Sequence, residues 1–343
     1  MSTLPKHSVR VRRQWPVGRL ATALAVAALA LTACGGDPAA TPAPNGSAAQ
    51  GATFPVTVSH KYGDTVIDKA PARVVTLGLS DQDPVLALGV VPVGSIDWFG
   101  ERPYGKWPWA QPAWGGKAPE IVGERDEYNL EKIAALNPDL IIGMYSGMSQ
   151  EQYTKLTQIA PTVAQVKGYD DYSAPWQEMT MHAGRALGQS AKAAELIAAI
   201  DQRLADLKAK NPQFTGKTVA VVEPYEPGKY AVFAPSDPKV VLLTQLGFTV
   251  PEAIVQAAGK EYAAEIGSER LDLVDVDKLV FLTADASTET TVKADKVYTT
   301  LKVAKENRAV FLPYETPPLG AALSFSTVLS IPYALDQLVP LLG

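Results

Sequence analysis

One stretch sets the architecture. From Trp176 to Lys208 the chain is rich in Ala, Leu, Glu, Gln and Lys, and Ile197, Ile200, Leu204 and Leu207 recur at spacings of three and four. That is the apolar stripe of an amphipathic helix. Gly188 marks a break or kink, which leaves Ser190 to Lys208 as one rod of about 28 Å at 1.5 Å per residue. On either side, short apolar runs alternate with helix-like stretches. Before the rod come Arg73 to Leu77, Asp83 to Leu88, Val90 to Ile96, Asn129 to Ile142, Glu151 to Ile159 and Pro161 to Val163. After it come Thr218 to Val222, Leu279 to Leu282 and Ala309 to Leu312. Strand and helix alternating at this spacing predicts a parallel sheet with crossover helices in each half. The expected class is therefore α/β, with Rossmann-like lobes over 54–175 and 211–343 joined by a single long helix within 176–210. A stiff spine of this kind restricts how far the lobes swing.

The first residues read differently. Met1 to Arg19 hold Lys6, Arg10, Arg12, Arg13 and Arg19 with no acid, an apolar run follows from Leu20 to Leu31, and the segment closes on Leu31-Thr32-Ala33-Cys34. The pattern predicts a signal peptide over 1–33. Its apolar run is shorter than the roughly 20 residues that a membrane-crossing helix needs. The ending resembles a bacterial lipobox, in which cleavage before the cysteine leaves its thiol to carry lipid, so Cys34 is the expected lipidation site. The expected location is then the extracytoplasmic face of the cell membrane, by the Sec or the twin-arginine route. Cys34 is also the chain's one cysteine, which excludes an internal disulfide. Residues 34–53, GGDPAATPAPNGSAAQGAT after the cysteine, have no apolar periodicity and read as a flexible tether. The full chain carries a formal charge of -5, and the leader takes five basic groups with it, so the remainder stands at -10. An acidic surface argues against nucleic acid.

The halves echo each other. Asn129 to Ile142 (NLEKIAALNPDLII) aligns with Gly267 to Val280 (GSERLDLVDVDKLV), pairing Glu131 with Glu269, Ile133 with Leu271, Leu136 with Val274 and Asp139 with Asp277. Each lobe then presents one glutamate at an equivalent place.

Catalytic signatures are missing. Gly143-Met-Tyr-Ser-Gly147 has its serine one position late for a nucleophile elbow, and no phosphate-binding glycine motif occurs. Beyond the leader only His60 and His182 remain, too few and too far apart for a transition-metal site; His182 reads as a structural or surface histidine. Asp81 with Asp83, and Asp170 with Asp171, read as helix caps and solvated turns. No enzyme, no bound metal and no cofactor are expected. A surface-anchored hydrolase on the same lobes is the competing class.

What the sequence offers in place of catalysis is aromatic surface. Asp97 to Trp114, DWFGERPYGKWPWAQPAW, holds four of six tryptophans among prolines and glycines that exclude a regular element. It follows the Val90 to Ile96 run, and in open α/β sheets the ligand crevice lies beyond the carboxyl ends of the strands. Trp98, Arg102, Tyr104, Trp107 and Trp109 are therefore candidate ligand contacts, with Trp114 covering the sheet edge. Tyr145, Tyr225, Tyr230 and Tyr314 follow other strands and complete the candidate set. Aromatic side chains give a bulky ligand large contact area while freezing only two torsions each.

Pro71-Ala-Arg-Val-Val-Thr-Leu77, Leu86-Ala-Leu-Gly-Val90, the N-L-E-x-I-x-A-L-x-P-D-L run of Asn129 to Leu140 and Ile159-Ala-Pro-Thr-Val163, with the lipobox, resemble the periplasmic-binding-protein family that delivers iron-siderophore complexes to ABC importers. The resemblance covers essentially the whole mature chain. It implies the class III fold of that family, with the ligand between the lobes; a monomer is expected, and with so few metal-ligating side chains Fe3+ is expected to arrive only inside a chelate. It also implies that Glu131 and Glu269 dock on the ABC permease, although Ser268 directly before Glu269 departs from the usual spacing. Tricatecholate complexes carry about three negative charges and call for clustered arginines. Arg102, with Lys106, Lys117 and Lys229, is all the mouth offers in sequence, which favours a hydroxamate-type ferric siderophore; haem and cobalamin are the alternative ligands.

Overall fold

The computed structural model describes residues 53–343 apart from Phe99 and Glu101, with only the backbone of Pro103. The leader, Cys34 and the tether to residue 52 lie outside the described residues. A short antiparallel hairpin, β1 (Val56–His60) and β2 (Gly63–Ile67), leads in. A six-stranded sheet follows, built from β3 (Val74–Thr76), β4 (Gly94–Asp97), β5 (Glu120–Glu124), β6 (Glu127–Tyr128), β7 (Leu140–Ile142) and β8 (Thr162–Val163) in the order β6-β5-β4-β3-β7-β8. The second sheet takes β9 (Val219–Glu226), β10 (Lys229–Phe233), β11 (Ala263–Gly267), β12 (Lys278–Thr283) and β13 (Ala309–Pro313) in the order β11-β10-β9-β12-β13. Central β3 and β7 are buried at every residue, as strands covered by helices on both faces must be.

The sheets are mixed where the sequence predicts parallel ones. β6 runs antiparallel to β5, and β10 runs antiparallel to both β9 and β11. Two residues separate β5 from β6 and β9 from β10, and so short a connection can only form a hairpin, because a parallel return needs a crossover of a dozen residues or more. Asp126 (φ 54°) and Gly228 (φ 75°) supply the left-handed turn conformations.

The segment 176–210 is two helices. Trp176–Ala186 stops at Gly188 (φ 65°) and packs back against Ser190–Lys210, with Gly184 so close to Ala193 that a Cβ there would lie 2.5 Å from the Ala193 Cβ. The second helix serves both lobes along its length: Ala193 enters the core behind the first sheet, while Ile200 and Leu204 enter the core behind the second.

The sequence echo has a structural counterpart. Glu131 is the second residue of helix Leu130–Ala135, and Glu269 is the second residue of the 3-10 helix Ser268–Val274; both are exposed. Ile133 and Leu271 are each fully buried beneath. The Asp139 carboxylate accepts the N–H groups of Ala72 and Arg73 at the head of β3, and Asp277 accepts the N–H and hydroxyl of Thr218 at the head of β9. The turns differ at their caps: the Asn129 side chain accepts the Lys132 N–H at 3.0 Å, whereas Gly267 has no side chain to offer.

Candidate functional site

A cavity of about 950 Å³ opens between the lobes. Its first wall is carried by turns that follow strand ends: Trp98 after β4, Arg125 between β5 and β6, Tyr145 after β7, and Tyr172 and Trp176 after β8. The facing wall comes from Lys239 and Gln245 on helix Pro238–Gln245, Tyr262, and the turn Ser324 to Val328. A space of this size, lined by rings with a few polar groups, fits a large and partly apolar ligand.

Local structure fixes the first wall. The Asp126 carboxylate accepts the Gly147 N–H at 2.9 Å and the Tyr172 hydroxyl, which ties the β5–β6 turn to the segments after β7 and β8. Tyr172 then packs edge-on against Trp98 at 5.9 Å and against Tyr145 at 5.7 Å. The Arg125 guanidinium lies 5.2 Å from the Trp98 ring and 5.7 Å from the Tyr172 ring, the stacked geometry in which a cation is attracted by ring faces. The other charges of the lining are paired: Asp171 with Lys61 at 2.7 Å, and Asp237 with Lys239 at 3.1 Å. The described contacts of Arg125 are rings and the Tyr172 hydroxyl, not carboxylates.

Of the nine ligand contacts expected from sequence, Trp98 and Tyr145 line the cavity. The others stand elsewhere. Trp107 and Trp109 are buried, stacked on each other at 5.2 Å and resting on Phe325, so they join the lobes instead of facing the gap. Tyr104 packs edge-on against Trp114, which is fully covered as expected. Arg102 donates to the Glu315 carbonyl at 2.9 Å and sits over Trp107. Tyr314 is half-buried behind Phe325, and Tyr230 lies in the core of the second lobe with its hydroxyl on Asp295. Tyr225 is exposed at the β9–β10 hairpin, beside Lys229 with its partner Glu226. Lys106 and Lys117 are exposed and do not line the cavity. Arg125, Tyr172, Trp176, Lys239 and Tyr262 were not singled out from sequence; the Gly-Glu-Arg-Asp-Glu turn was the available signal for Arg125.

Two carboxylates also depart from expectation. Asp81 and Asp83 are buried, not solvated. Asp81 accepts the N–H groups of Gly78, Met144 and Tyr145, and burial pushes its carboxyl up to about 7. Asp83, also pushed up by burial, to about 6, accepts from the Trp109 indole and the Thr327 hydroxyl. His182 is buried too, and desolvation holds it down at about 4. These shifts oppose each other. The aspartates hold a proton more tightly folded than unfolded, so their contribution is full below about pH 4 and is lost as pH rises through 6 to 7. His182 contributes above its ordinary 6.5, and that contribution is lost as pH falls through about 4. His182→Gln should therefore lose stability more steeply than the parent protein as pH rises from about 4 to 6.5. Urea midpoints across that window measure it, and equal slopes would refute the opposition.

Among the described residues no cluster of three or more His, Cys, Asp or Glu could hold a metal ion, and no helix is long and apolar enough to cross a membrane. The profile of the periplasmic binding protein family matches residues 74–316. A probable siderophore-binding lipoprotein of Bacillus subtilis is 33% identical over 240 residues, 67% of this chain and 69% of its own length. A periplasmic solute binding protein of Mycobacterium smegmatis superposes with a TM-score of 0.75 at 35% identity, covering 84% of this chain and 97% of that one. An iron-uptake substrate-binding protein of Streptococcus pneumoniae, solved with ferrichrome, superposes at 0.70 with 28% identity over 84% of this chain and 97% of its own.

Proposed function

This chain belongs to the periplasmic binding protein family, and from that premise we propose that it is the lipid-anchored receptor of an ABC importer, capturing a ferric siderophore between its lobes and handing it to the permease. The carrying observation is the aromatic cleft with Arg125 seated on Trp98 and Tyr172. The rings supply area for the chelate's organic shell, and the guanidinium supplies donors for its anionic, iron-coordinating oxygens. Because Lys239 is already neutralised by Asp237 and Asp171 by Lys61, Arg125 is the cation left over among the described lining residues. That balance favours a neutral or weakly anionic hydroxamate complex over a trianionic tricatecholate. The protein binds without transforming its cargo, and iron enters and leaves inside the chelate.

The remaining parts serve delivery. Cys34 carries the lipid, residues 34–53 give the body reach above the membrane, and Glu131 and Glu269, exposed at matched positions of the two lobes, are the posts that meet the permease. Paired anionic posts suit a two-fold symmetric transporter.

The test is a titration of the protein lacking residues 1 to 34 with ferric hydroxamates, a ferric tricatecholate, haem and cobalamin, read by tryptophan emission. A hydroxamate should quench at submicromolar concentration. A response to haem or cobalamin alone would reassign the cargo. Glu131→Ala with Glu269→Ala should abolish cellular uptake while leaving chelate affinity unchanged; a fall in affinity would remove these residues from the docking face.

A further inference from the structure

The binding reading makes no use of Asp83, yet its buried carboxylate joins the two lobes. Asp83 lies near the start of helix Gln82–Ala87 in the first lobe, 1% exposed. One carboxylate oxygen accepts the Trp109 indole N–H at 2.9 Å and also the Thr327 hydroxyl; the other accepts from the Gln82 amide at 3.3 Å. Thr327 belongs to the second lobe, in the turn between helices Leu319–Phe325 and Ser330–Leu342. There its N–H donates to the Ser330 hydroxyl at 2.8 Å and its own hydroxyl oxygen accepts the Ser330 N–H at 3.0 Å. That turn is cleft wall, since Phe325, Thr327 and Val328 line the cavity. The other donor, Trp109, rests on the same Phe325.

Apolar contact alone lets two surfaces slide. A carboxylate held by directional donors fixes distance and angle together, and at a buried site a broken bond finds no water in exchange. We propose that Asp83 is a positioning residue for ligand binding: by holding Thr327 and Trp109 it locks the Ser324 to Val328 wall against the first lobe and sets the width of the cleft. The proposal rests on the cleft being the ligand site.

Three substitutions test it. Asp83→Asn keeps the shape but turns one acceptor into a donor facing donors, Thr327→Val removes only the hydroxyl, and Thr327→Ser keeps it. Ferrichrome affinity should fall about tenfold in Asp83→Asn and in Thr327→Val, with the double variant no weaker than either, while Thr327→Ser stays within about twofold of the parent. Amide hydrogen exchange should quicken across 324–330 in Asp83→Asn, although the substitution lies on the other lobe. Parent-like affinity in folded Asp83→Asn and Thr327→Val would overturn the proposal, leaving Asp83 a stabiliser of the fold only. If Asp83→Asn does not fold, Thr327→Val carries the comparison, with exchange read in Gln82–Ala87. If the parent binds no ferrichrome, the ligand reading is what has failed for that chelate; the exchange result then decides the lock, and unchanged exchange would sink it.

Discussion

Trp107→Ala should lower the unfolding free energy by about 3–5 kcal/mol, the range for removing a large aromatic from a packed interior. The ring is 3% exposed and has neighbours on several sides: Trp109 stacked at 5.2 Å, Phe325 at 5.3 Å and the Arg102 guanidinium over its face. Phe325 comes from the second lobe and the Trp107 loop from the first, so the cavity left by alanine opens at their junction, where neither sheet can collapse to fill it. Trp98→Ala is the informative contrast. That ring is only half-buried and lines the cleft, so its loss should cost little in stability and show instead as weaker chelate binding. Urea unfolding of both variants measures the difference. Equal stability losses would mean that Trp107 does not bridge the lobes as its contacts indicate.

The same loop shows how far sequence carries and where it stops. Its place at the sheet's carboxyl edge was legible, because proline, glycine and the preceding apolar run are local signals. The division of labour among its tryptophans was not. Trp107 and Trp109 owe their burial to Phe325 and Tyr333, residues far along the chain whose arrival at this loop is set by the packing of the second lobe. The spine and the strands β3, β4, β7, β8, β9, β12 and β13 were legible for the opposite reason, since spacings of three and four and short apolar runs are written within each element, whereas β1, β2, β5, β6, β10 and β11 were not singled out. The echo of Asn129 to Ile142 in Gly267 to Val280 was legible too, and Asp139 and Asp277 show why it exists: each closes the head of an inner strand. Asp81, which does stand at the N-cap position of helix Gln82–Ala87, and Asp83 in its first turn are buried where solvated positions were expected, because their partners, Met144 and Tyr145 for one and Thr327 for the other, are invisible from the Ser-Asp-Gln-Asp string. Arg125 was hidden by its neighbours, Glu124 and Asp126, which make the turn look like ordinary charged surface; only the two-residue hairpin lifts its guanidinium onto Trp98 and Tyr172.

That placement makes Arg125 the most consequential single position for affinity. Arg125→Ala should weaken binding of a ferric hydroxamate by about 10- to 100-fold, the equivalent of one lost charge-assisted hydrogen bond of roughly 1.5–3 kcal/mol. Stability should barely change, because the residue is exposed. Arg125→Lys separates charge from shape: an ammonium keeps the positive charge but loses the planar fork that lies on two rings while reaching an oxygen pair. It should fall between the parent and the alanine variant, closer to the parent at low salt and closer to alanine as salt screens the point charge. Fluorescence titration reports this directly, since Trp98 shares the contact with Arg125. If alanine binds the chelate as tightly as arginine, the cation is a surface ornament of the aromatic wall, and the cargo is held by its organic shell alone.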